Sequence, residues 1–297
     1  MLEEAIMKIE ERDRSFFELG KGFLLGKKEK GITQEVLNNY LSGADCPRLN
    51  SINAIYRRLL ESAQSANMKS GVIGKAIGGV DKLGSVLFDF NVIRVFEAYS
   101  DGNAILDKIE KTLSPRGKVR RGPRCIWPRY CDTILGAASF LRMFASAGEF
   151  YAWCDRFVRD SRTRLALPLL LAKEIPGFGF ALACEFLKEI GYMEFGKPDV
   201  HLKDIFKGVG ICPENASDYD VLKTIIRVAD NSQVTPFSVD KVFWLIGSGY
   251  FYGHKATIGK EGRIGSMKKE FIQYACKKLR ALSSLKKKPV HAGKSDH

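Results

Sequence analysis

The chain has 297 residues, 45% of them hydrophobic, and a formal net charge of +13. That is enough apolar material for a core, and the basic excess favours an acidic partner, either nucleic acid or an anionic membrane surface. No apolar run reaches the roughly 20 residues that span a bilayer, and the acidic, amphipathic start MLEEAIMKIEERDRSFF does not read as a signal peptide, so nucleic acid is the expected partner.

Taken in chain order, helical patterns dominate. LEEAIMKIEERDRSFFELG, SINAIYRRLLESAQSAN and GNAILDKIEKTL repeat apolar residues every three or four positions. CDTILGAASFLRMFASAG, FYAWCDRFVRDSR and SMKKEFIQYACKKLRALSSL do the same. Period-two alternation is scarce, so the expected class is all-α with about a dozen helices. The expected organisation is an N-terminal helical region over 1–115, a middle helical region over 116–250, a C-terminal helix over 251–285 that packs back on the first region, and a basic, disordered tail over 286–297.

Three irregular stretches interrupt the helices. SGVIGKAIGGVDKLGS (70–85) is glycine-rich, but Lys75 is followed by Ala76, so it lacks the Ser/Thr of a phosphate loop. A flexible helix start or a close helix packing is expected there. PRGKVRRGPRCIWPRY (115–130) holds six bases and no acid, with Trp127 and Tyr130 at its end. GSGYFYGHKATIGKEGRIGSMKK (247–269) mixes glycines, aromatics and bases. Arg120, Arg121, Arg124 and Lys255 are the candidate phosphate contacts, weighed against a merely soluble surface.

The seven cysteines, at 46, 125, 131, 154, 184, 212 and 276, form no C-x-x-C pair. Closely spaced thiolate sets for zinc or an iron–sulfur cluster are therefore excluded. Reduced, mostly buried cysteines are expected. The four histidines are too scattered for a metal site, and no metal is expected.

The densest signal is AKEIPGFGFALACEFLKEIG (172–191). LPLLLAKE reads as a helix that must stop before Pro176. Gly177 and Gly179 allow a tight turn free of side-chain bulk. A second helix begins near Phe180, with Leu182, Phe186 and Ile190 on one stripe, and Gly191 sits where helices end. The first amide hydrogens of that helix have no partner within it, and glycines let another backbone approach them. That is a phosphate site, unless the turn merely joins two packed helices. GKPDVHLKDIF follows, with Asp199 directly before a short helical pattern, as an N-cap or as a functional carboxylate.

Ile175-Pro176-Gly177-Phe178-Gly179 followed by Asp199-Val200-His201 resembles the helix-hairpin-helix DNA glycosylase superfamily. That superfamily carries an apolar-Pro-Gly-x-Gly hairpin and an essential aspartate about two dozen residues later. Here Gly177 and Asp199 are 22 apart, and the D-V-H triplet is similar to the 8-oxoguanine glycosylase branch. The resemblance covers roughly 130–250 and implies two helical lobes, with a helical barrel over 116–250 bearing the hairpin and a DNA-binding cleft between the lobes, in an enzyme that flips a damaged or modified base from duplex DNA and cleaves its N-glycosidic bond. Asp199 is the implied catalytic carboxylate. Gly177, Phe178, Gly179 and Ala181 are the implied contacts to the DNA backbone, with no cofactor required and room for a monovalent cation at the hairpin.

In the lyase-capable branches a lysine stands four residues after the first hairpin glycine. Here that position is Ala181, which cannot act as a nucleophile. The expectation is therefore a monofunctional glycosylase that leaves an abasic site. Lys173 or Lys203 acting from another direction is the bifunctional alternative. Tyr130, Trp153, Phe178, Phe180 and Trp244 are candidates for the base pocket or a DNA contact, each weighed against a place in the core; Phe178 in particular could pack between the hairpin helices. His201 could reach DNA or be a buried hydrogen-bonding residue. The rival classes are a non-catalytic helix-hairpin-helix DNA-binding protein and an RNA-binding protein. A monomer is expected, cytoplasmic and nucleoid-associated in a prokaryote or nuclear in a eukaryote.

Overall fold

The computed structural model describes residues 8–44, 46–64 and 72–285. Among them the regular elements are α-helices and short 3₁₀ turns, with isolated bridges pairing Arg263 with Tyr250 and Lys260. The protein is all-α, as the helical periodicity predicts. In chain order the helices are α1 (Ile9–Leu25), α2 (Gln34–Leu41), α3 (Ile52–Ala63), α4 (Val72–Ile77), α5 (Val92–Ala98), α6 (Gly102–Leu113) and α7 (Ile126–Leu141). Then come α8 (Ala147–Val158), α9 (Ala166–Glu174), α10 (Phe180–Glu189), α11 (Val200–Val209), α12 (Asp218–Ser232), α13 (Pro236–Ser248) and α14 (Lys268–Leu285).

Capping explains most starts. Thr33, Ser51, Asn91, Asp101, Ser146 and Thr235 each accept a hydrogen bond from a first-turn amide. Ser217 and Asp220 form a reciprocal capping box at α12. One expected helix, 131–148, is in fact two. α7 starts five residues earlier, at Ile126, because Pro128 falls in a first turn where its missing amide hydrogen costs nothing. It stops at Leu141, and Ser146 then caps α8. The glycine-rich 70–85 stretch becomes α4 and a 3₁₀ turn, Val80–Ser85. A Cβ at Gly74 would lie 2.7 Å from Gln64 Oε1, so this glycine serves a close contact. The basic tail lies outside the described residues.

The chain divides into two compact units, one of Met1–Gly43 with Pro198–His297, the other of Ala44–Lys197. The expected boundaries near 115 and 250 fall inside these units. In the first unit, α1 packs with α11–α14. Phe16 stacks on Phe243 at 4.3 Å, and Phe206 meets both rings edge-on at 5.3 Å. Asp13, fully buried, is held by Arg227 at 2.7 and 3.1 Å and by Asn231 at 2.8 Å. The carboxylate is thus paired and hydrogen-bonded, as a buried charge must be. In the second unit, α3–α10 enclose a separate core around Tyr56, Ile134, Phe150 and Phe186.

Candidate nucleic-acid interface and carboxylate

The hairpin belongs to the second unit. α9 ends at Glu174, and Ile175 is extended (φ −110°, ψ 107°), as a residue before proline prefers. The amide of Phe178 donates to the Ile175 carbonyl at 3.1 Å, closing a four-residue turn with Pro176 second and Gly177 third. Gly177 has φ +74°, the conformation that the third position of a type II turn demands.

The turn is seated on α7. The Thr133 hydroxyl lies 2.7 Å from the Pro176 carbonyl and 2.9 Å from that of Arg129, and its one proton serves either. A Cβ at Gly136 would fall 2.4 Å from Pro176 Cδ, and one at Gly177 would fall 2.6 Å from Thr133 Oγ1. A side chain at Gly177 would therefore point inward, although the glycine itself is exposed. Gly179 differs: its φ is −72°, and a Cβ there would meet nothing within 4 Å. It caps α10, accepting from Leu182 and Ala183 at 3.0 Å. Among the described residues the amides of Gly179 and Ala181 meet no acceptor. The face of the turn at Gly179 is open, and its donors point from a helix N-terminus, where the backbone favours an anion.

Phe178 departs from the expected backbone or pocket contact. Its ring is 1% exposed and edge-on to Phe186 at 6.1 Å, and its amide is committed inside the turn. An apolar ring flanked by two exposed glycines gains more from the core than from solvent. Phe180 and Ala181 are half-buried at the start of α10.

Tyr130 takes the core alternative. It is 3% exposed on α7, and its hydroxyl donates to the Leu60 carbonyl at 3.0 Å. Burial pushes its hydroxyl pKa up, with Cys131 adding to the effect. Trp153 is half-buried in a ring cluster with Phe140, Phe144 and Phe157 at 5.2–5.7 Å, which is core packing. Arg120 and Arg124 are exposed. Arg121 is held by Asp107 at 2.7 Å and by Glu110, which removes it from the free cations.

Asp199 belongs to the first unit. It caps α11 with one oxygen, Oδ1, which accepts from the His201 amide at 2.8 Å and the Leu202 amide at 3.2 Å. Its backbone is extended (φ −85°, ψ 179°). The carboxylate is half-buried and fixed at a helix N-terminus. His201 packs against α13, where a Cβ at Gly247 would fall 2.5 Å from its own Cβ. Its Nδ1 is buried without a hydrogen-bond partner, so the structure gives it a packing place and an unused nitrogen. Lys203 is paired with Asp218, and Lys173 is exposed in the last turn of α9.

Trp244 is half-buried on α13, beside Tyr250 and Tyr252 at 6.4 and 6.0 Å. Lys255 is exposed. The sequence reading missed Tyr250, Tyr252 and Lys241, although GSGYFYG shows both tyrosines beside the basic run. Among the described residues no three of His, Cys, Asp and Glu come together to hold a metal ion, and no helix is long and apolar enough to cross a membrane.

No family model matches the chain, and no curated protein matches it. It is similar to the crystal structure of Methanocaldococcus jannaschii 8-oxoguanine glycosylase/lyase in complex with 15mer DNA containing 8-oxoguanine. The match has 15% identity and a TM-score of 0.46, and covers 82% of this chain and 99% of that one.

Proposed function

We propose that this chain is a monofunctional DNA glycosylase that hydrolyses the N-glycosidic bond of an extruded damaged or modified base. The observation that carries the reading is Asp199. Its carboxylate is held at the start of α11 by two amide hydrogens, 22 residues after a glycine turn whose outward amides suit a phosphate. In this reaction the C1′–N bond breaks and its electron pair leaves with the base. Positive charge grows on the sugar, water supplies the new oxygen at C1′, and its proton goes to solvent or to the departing base. A fixed carboxylate stabilises that growing charge without reorganising, and can orient or deprotonate the water. The open amides of Gly179 and Ala181 bind the phosphate strand irrespective of sequence. With Ala181 where a Schiff-base lysine would stand, water is the nucleophile.

The test is a panel of duplexes carrying oxidised, alkylated, mismatched and otherwise modified bases, followed by alkaline cleavage of abasic sites. The expected result is strand scission after alkali only, from one class of base, and none with Asp199→Asn. A covalent adduct trapped by borohydride contradicts the monofunctional assignment. A second reading draws on the same capping geometry: both amide bonds to Oδ1 are those of a plain N-cap. Duplex binding with no base released from any duplex supports a non-catalytic DNA-binding protein instead.

A further inference from the structure

We propose that the ring cluster on α13 and the loop after it is a stacking platform for single-stranded DNA, a binding surface of its own that does not depend on the glycosylase reading. Trp244, Tyr250 and Tyr252 are all half-buried, with ring centroids 6.0–6.4 Å apart. The exposed guanidinium of Arg263 lies over Tyr250 at 3.9 Å. From within, the Lys241 ammonium donates to the Tyr252 hydroxyl at 2.9 Å and sits 5.1 Å from that ring. Tyr252 meets Tyr40 edge-on at 5.0 Å, and the loop has further anchors besides the rings. Phe251 and Ile258, both fully buried, anchor it. Backbone bonds from Phe251 to Gly262 (2.7 Å) and from Ile264 to Gly249 (2.9 Å) close it, and Gly253 donates to the Tyr40 hydroxyl at 2.8 Å.

What remains is a set of half-exposed rings under a flat, exposed cation. The surrounding segment 249–269 carries five bases against one acid, Glu261. Interleaved aromatics and cations are the physical requirement for holding an unpaired strand. Bases stack on rings and guanidinium planes, and phosphates follow the charge. A duplex hides its base faces and gains only the second contribution.

The experiment measures fluorescence anisotropy with a labelled thymidine oligonucleotide of about 12 nucleotides, the matching duplex, and a uridine strand of the same length. Arg263→Lys keeps the charge and loses the plane, while Tyr250→Leu keeps apolar bulk and loses the ring. Each is expected to weaken the DNA strand about tenfold, within the range of one stacked base, and to leave duplex affinity within about twofold. Thermal unfolding controls for folding. Arg263 is exposed, so its lysine variant decides the matter even where Tyr250→Leu destabilises the protein. The proposal is overturned by no single-strand binding in the wild type, by equal loss on strand and duplex, or by tighter binding to the uridine strand. Base release enters none of these readings, so a failure of the glycosylase assignment leaves this result standing, and the reverse.

Discussion

Gly177 and Gly179 stand two positions apart and solve different problems. Gly177 needs its positive φ and has Thr133 where a side chain would go. Gly177→Ala is therefore expected to destabilise the protein by about 1–3 kcal/mol in denaturant unfolding. Gly179→Ala sits at an ordinary φ in open space and should change stability by less than about 0.5 kcal/mol. Its cost should instead appear as weaker duplex binding, because the methyl intrudes on the exposed amides. Equal stability losses for the two would refute the inward and outward assignment. Both glycines were legible in the sequence as turn formers, since proline and glycine act through local sterics. Their division of labour was not, because it depends on α7 approaching at Gly136. Asp199 was legible as a cap for the same local reason. Asp199→Ala is expected to cost about 1 kcal/mol of stability, and Asp199→Asn much less, because asparagine caps equally well.

Among elements, α7 organises the second unit's turn and shows where periodicity misleads. Its first turn lies in a stretch that the sequence presents as basic and irregular, because Pro128 breaks helices everywhere except at their start. The earlier start places Tyr130 within the helix, buried, with its hydroxyl donating to the Leu60 carbonyl. Likewise the partners of Arg121 lie on α6, and no local pattern discloses an ion pair across two helices. Gly136→Ala should overpack against Pro176 and cost about 1–3 kcal/mol, detected as a lowered denaturation midpoint.

A second tie joins the segment before α3 to α8 and to the end of α10. Arg48 pairs with Asp155 at 2.8 Å and lies over the rings of Tyr151 and Tyr192, while the Tyr192 hydroxyl donates to Asp155 at 2.8 Å. Burial works against ionising Asp155, but the hydrogen bonds from Tyr192 and Arg48 outweigh it and hold its pKa below the usual carboxylate value. The stabilisation is thus complete above the unfolded pKa, about 4, and is lost as pH falls through the lower folded value. Asp155→Asn should be less stable than wild type at neutral pH, with the difference shrinking below about pH 4. Urea unfolding at several pH values measures this, and a deficit that stays constant with pH contradicts it.

For the whole molecule, helical periodicity foretold an all-α chain and composition a basic one, while the boundaries of the units were not legible. α1 and α2 join α11–α14 across more than a hundred residues of chain, and amphipathic stripes say which face is buried, not against what. Burial also sets thiol chemistry. Cys131 is pushed up to about 12 by desolvation, with Asp132 adding to it, and burial raises Cys154 as well. Cys125 and Cys276 are half-buried and the other five cysteines are buried. A thiol reagent should label those two quickly in the native protein and the remaining five only on unfolding; rapid native labelling of Cys131 contradicts this core. The proposed activity requires the Asp199 carboxylate to do chemistry as well as cap. The direct measurement is single-turnover base release from one cleavable duplex, with protein in excess, for wild type and Asp199→Asn, alongside duplex affinity and unfolding midpoint. For Asp199→Asn a rate at least about 100-fold lower is expected, with affinity and stability nearly unchanged. Base release by Asp199→Asn at the wild-type rate contradicts it.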